Sequence, residues 1–162
     1  MSEETLLERF TELMRERFDV SPGSGERRNV LHLRHRLSEK DEHEGGLRAI
    51  LRRLTPPGDF GIYLHEGVSQ GWWGASNNQL EKLAEEYEGK WVMILLEHDA
   101  NIGHLYTPED ISKNLSAWST DATGTNLKIV RKKLGCCREF FGTPSLWGKL
   151  AEAGLELRER DR

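Results

Sequence analysis

The run Trp91-Val92-Met93-Ile94-Leu95-Leu96 offers no polar side chain at any position. A strand with one face in water alternates apolar and polar residues, because successive side chains point to opposite sides of the pleat. An unbroken apolar run of this length, rich in β-branched and aromatic residues, reads as a central strand covered on both faces. Such a strand requires a sheet with a packed layer on each side. It is also far too short to cross a bilayer, so no membrane association is expected.

The flanking segments supply the layers. Leu6, Phe10, Leu13, Met14 and Phe18 recur at helical spacing, which predicts an amphipathic helix over Glu3 to Phe18 with Ser2 as its cap. It should stop at the loop Ser21-Pro22-Gly23-Ser24-Gly25. Leu31, Leu33 and Leu37 then alternate with His32, Arg34 and Arg36, predicting a strand with a basic outer face. Leu47, Ile50, Leu51 and Leu54 predict a second helix, ended by Pro56-Pro57-Gly58, and Asp59 to Glu66 a second strand. Gly67 to Gly74 is expected as a loop. Ser76 with Gln79 forms a capping box for a helix carrying Leu80, Leu83 and Tyr87, with Gly89 as its stop.

After the apolar run, Asp99 to Gly103 predicts a hairpin into a short strand, His104 to Tyr106. Thr107, Pro108 and Asp110 open a helix expected to carry Ile111, Leu115 and Trp118. Leu127 to Val130 reads as a strand running into Arg131-Lys132-Lys133. A last helix starts at Thr143-Pro144 and buries Leu146, Trp147 and Leu150. Residues 155–162 are charged enough to fray. The expected fold is one α+β domain over residues 1–162: a mixed, partly antiparallel sheet of about five strands packed by about five helices.

Composition restricts the function classes. The 162 residues carry a formal net charge of -4, which argues against a polybasic coat. The N-terminus lacks the basic and apolar regions of a secretory signal, and the two cysteines, Cys136 and Cys137, are adjacent, a poor geometry for a structural disulfide. Cytoplasmic localisation and burial of both thiols are therefore expected.

The most unusual feature is Gly71-Trp72-Trp73-Gly74, two indoles on an expected loop. Exposed, they would form a slot in which a flat base stacks, with Trp118 completing a cage. Folded inward, they would close the core. Arg34, Arg36, Lys128, Arg131, Lys132 and Lys133 are suited to phosphates, although cations are also ordinary surface residues. Together the rings and cations predict a nucleic-acid recognition module that reads single-stranded or modified bases and needs no cofactor.

Two further classes stay open. Glu97-His98-Asp99 and His104 sit around one turn, so His98, Asp99 and His104 are candidate ligands for a divalent metal, with Glu97 as general base of a hydrolase or nuclease. The spacing matches neither H-E-x-x-H nor paired C-x-x-C. Alternatively, the tryptophans and the acidic first helix would form a hot spot for a protein partner. His32 and His35 fall on opposite faces of their strand, which separates their roles.

Two nuclease motifs have partial echoes. Gly61-Ile62-Tyr63 with Trp73-Gly74 superficially resembles the GIY-YIG nucleases, but the second motif reads Trp-Trp-Gly and the helix Asn77 to Tyr87 lacks the arginine that family uses. Glu88-Gly89-Lys90 resembles the E-x-K triplet of PD-(D/E)xK nucleases, but it precedes its strand instead of lying in one. The chain is assigned to neither.

Overall fold

A computed structural model describes residues 5–35, 59–66 and 72–155. Among them lie four α-helices and nine strands. The chain order is α1 (Leu6–Arg15), β1 (Phe18–Pro22), β2 (Val30–His35), β3 (Phe60–Glu66), β4 (Trp72–Ser76), α2 (Asn77–Tyr87), β5 (Trp91–Leu96) and β6 (Ile102–Tyr106), then α3 (Pro108–Asn114), β7 (Ser119–Thr120), β8 (Asn126–Val130), β9 (Arg138–Phe141) and α4 (Thr143–Glu152). The architecture is α+β: a mixed six-stranded sheet, β1-β2-β3-β5-β6-β9, and a small antiparallel sheet, β4-β8-β7. Among the described strands of the large sheet only β3 and β5 run parallel, joined by a crossover through β4 and α2.

The apolar run is β5, central and buried at every position. Its pleat divides it between two cores. Val92, Ile94 and Leu96 join Ile62 and Leu64 of β3, Phe10 and Met14 of α1, and Leu146, Trp147 and Leu150 of α4. Trp91, Met93 and Leu95 join Tyr63 of β3, Leu80 and Leu83 of α2, and Trp73, Ala75, Leu127 and Ile129 of the small sheet. Two helices thus cover one face, and α2, α3 and the small sheet cover the other. A fully buried leucine or isoleucine contributes about 1.5–3 kcal/mol, so β5 anchors both layers.

Several boundaries differ from the sequence expectation, each for a physical reason. Thr5 caps α1, its Oγ1 accepting the Glu8 N–H at 3.1 Å. Phe18 opens β1 instead of closing the helix; its ring still enters the Phe10 and Met14 core, which is why the helical spacing of apolar residues extends that far. Ser21 and Pro22 belong to β1, an edge strand, where the missing proline N–H costs no ladder bond. The helix α3 ends at Asn114, leaving Leu115 exposed while Trp118 folds back into the core. The strands β1, β4, β7 and β9 lie where the pattern predicts none: each is short or mixes polar and apolar residues, so pairing rather than periodicity creates it.

The caps at Ser76, Thr107 and the Thr143-Pro144 start follow the sequence, with a complete capping box at Thr107 and Asp110. At Ser76 only half the expected box forms: its side chain accepts the Gln79 N–H. Ser2, Arg36, Leu37, the helix expected over 47–54, Gly71 and the charged tail from 156 lie outside the described residues. No described helix is long and apolar enough to cross a membrane.

Candidate functional site

The tryptophan pair sits on β4, not on a loop, and this placement changes what the two rings can do. Adjacent strand residues face opposite ways, so no slot exists between them. Trp73 points inward and is 1% exposed; its indole N–H donates to the Leu96 carbonyl at 3.2 Å. Trp118 is buried as well, donating to the Lys133 carbonyl at 3.0 Å and meeting Tyr106 edge-on. The expected cage of three open indoles is therefore replaced by one half-buried ring, Trp72, with Trp73 and Trp118 serving the core.

Trp72 lies on the outer face of the small sheet. Its neighbours there follow from register: Trp72 opposes Val130 and Gly74 opposes Lys128. The ring extends over Gly74, where a Cβ would stand 3.3 Å from Trp72 Cζ3. Lys128 Nζ stands 5.2 Å from the Trp72 ring centroid, a cation–π contact. Beside it opens a cavity of ≈ 250 Å³ lined by Ala117, Trp118, Ser119, Lys128, Val130 and Lys133. Among the described residues, two lysines and no carboxylate line that space.

The remaining cations divide. Lys132 and Lys133 are exposed on a single 3-10 turn directly after β8. Arg131 on the same turn is engaged: its guanidinium stacks over Trp73 at 5.1 Å and pairs with Glu97. Arg34 lies on β2 in the large sheet, 3.5 Å from Asp59, not on the small sheet. Beside Arg34, His32 connects two elements. Its Nε2 lies 2.8 Å from Asp59 Oδ2, and its Nδ1 lies 2.6 Å from the Tyr87 hydroxyl of α2, whose pKa burial pushes up to about 12.

A second cluster forms where β5, β6 and β9 end together. Register sets Leu95 of β5 beside His104 of β6, and His104 beside Glu139 of β9. His104 Nδ1 is 3.7 Å from Glu139 Oε1, and Nε2 is 4.0 Å from Glu97 Oε2. Both separations exceed a hydrogen bond. Ligand atoms of His104, Cys137 and Glu139 lie within 4.8 Å of one another. His104 is 7% exposed, and burial holds its pKa below the usual histidine value, although Glu97 and Glu139 pull it upward. Burial also raises the Cys137 thiol.

The expected metal set changes accordingly. His98 is exposed on the hairpin, and Asp99 accepts the Ala100 N–H at 2.8 Å as a turn former. Neither joins His104 in a group of donors; Cys137 and Glu139 do. Sequence alone does not point to either: β9 gives no periodic signal over its four residues, and Cys137, just before it, carries no ligand spacing. The thiols also separate: Cys136 is exposed, contrary to the expected burial, while Cys137 packs against the second core. No family model, no curated protein and no solved structure matches this chain.

Proposed function

We propose that the protein is a nucleic-acid recognition module that engages a single strand on the outer face of the small sheet. The observation that carries this reading is the half-buried Trp72 ring under the Lys128 ammonium, beside a cavity lined by Lys128 and Lys133. A base stacks on the indole as the ammonium leaves the ring for a phosphate, and Lys132 and Lys133 hold the phosphates that follow. This surface is smaller than the paired-indole slot expected from sequence, and Arg34 and Arg131, held by Asp59 and Glu97, are not part of it.

Fluorescence anisotropy of labelled single-stranded oligonucleotides tests the proposal. Three lysine contacts to a single strand give a log K against log salt slope of about −2. One stacked base contributes about 1–3 kcal/mol, so Trp72→Ala weakens binding by about 5- to 150-fold. Binding that ignores salt, or that Trp72→Ala leaves unchanged, overturns the proposal.

A further inference from the structure

His104 presents an unexplained cost. It is only 7% exposed, and among the described residues neither ring nitrogen has a hydrogen-bond partner. An imidazole carries one donor and one acceptor when neutral, and leaving such groups buried and unpaired costs about 1–3 kcal/mol. Glu97 Oε1, close by, is also buried with no partner among the described residues. The two carboxylate neighbours of His104, Glu97 and Glu139, both lie beyond hydrogen-bonding distance.

We propose that His104 Nδ1, Cys137 Sγ and the Glu139 carboxylate bind one divalent ion of the zinc class, with Glu97 as the residue that positions the imidazole. The three ligand atoms already lie within 4.8 Å of one another, and the Nδ1 to Oε1 separation is 3.7 Å. Bond lengths of about 2.0–2.3 Å place tetrahedral zinc ligands about 3.3–3.7 Å apart, so small side-chain movements close the set. Thiolate, imidazole and carboxylate together select a borderline-soft ion over magnesium or calcium, which require oxygen. The thiol proton passes to solvent on binding.

The surroundings supply what such a centre needs. With the ion on Nδ1, Nε2 carries the proton and faces Glu97 Oε2, which Arg131 holds in place. That carboxylate–histidine–metal order fixes the tautomer and raises the basicity of the ligand. The Glu139 side chain is 52% exposed, so the fourth coordination position opens to water on that side. The Trp73 ring closes the inner side, edge-on to His104 at 5.9 Å.

Cobalt(II) titration of the purified full chain tests the site. We expect one cobalt per chain, with a thiolate charge-transfer band and the intense visible bands of a tetrahedral ion. Cys137→Ser removes the charge-transfer band, while Cys136→Ser and His98→Ala leave the spectrum unchanged. Glu139→Gln, at a half-exposed side chain, weakens affinity at least tenfold. Glu97→Gln weakens it by about 10–100-fold, as loss of an outer partner does. Absence of stoichiometric cobalt, a charge-transfer band that survives Cys137→Ser, or one that disappears with Cys136→Ser overturns the proposal.

Discussion

His65 makes acid stability a direct reading of how the large sheet is packed. It lies on β3 opposite Leu95 of β5, edge-on to the Tyr63 ring with centroids 4.3 Å apart. Among the described residues its buried Nε2 has no hydrogen-bond partner. Desolvation lowers its pKa from 6.5 to about 4. The folded protein thus binds this proton ~300-fold more weakly than the unfolded chain does, and the linked stability is about 3 kcal/mol. Because the folded value is the lower one, that stability is complete above pH 6.5 and is lost as the pH falls towards 4. At pH 5 the loss from this group alone has reached about 2 kcal/mol. The measurement is urea unfolding of the native protein and His65→Gln at pH 7.5 and pH 5. Every other titrating group is common to both proteins, so the native protein should lose about 2 kcal/mol more than the variant over this interval. Equal losses would show that His65 is solvated or hydrogen-bonded when folded, and the reasoning about that face of β3 would fail.

Two further outcomes follow from close contacts. Asn114 is 4% exposed and clamps the loop before β9, donating to the Cys136 carbonyl and accepting the Cys136 N–H, each at 2.8 Å. Asn114→Ala should cost about 1–3 kcal/mol in urea unfolding, and an unchanged midpoint would show that water replaces both bonds. A Cβ at Gly61 would stand 2.7 Å from Tyr87 Cε2, so Gly61→Ala should displace the ring, break its bond to His32 and cost about 1–3 kcal/mol. Adding Tyr87→Leu should recover part of that loss in the same assay, and no recovery would show that the strain lies elsewhere.

How much the sequence revealed depended on whether the signal was local. β5 was legible because burial on both faces leaves no polar position in the run, and the caps at Ser76 and Thr107 because a hydroxyl that accepts an N–H three residues ahead is a local arrangement. The same applies to α4, whose Leu146, Trp147 and Leu150 are buried as their spacing predicts. The α+β class follows from these local signals alone.

The sites were decided by pairing across the chain. Composition and order reveal that Trp72 and Trp73 are adjacent, but only the pairing of β4 with β8 makes the segment a strand, sending one ring to the core and the other outward. His104 was visible as a candidate ligand, yet its neighbours in sequence, His98 and Asp99, are not its neighbours in space. Cys137 and Glu139, more than thirty residues away, reach it because β9 pairs with β6 in a register that places Glu139 opposite His104. Local chemistry specifies which elements form. Which side chains then converge depends on strand register, a property of two distant segments that neither contains by itself.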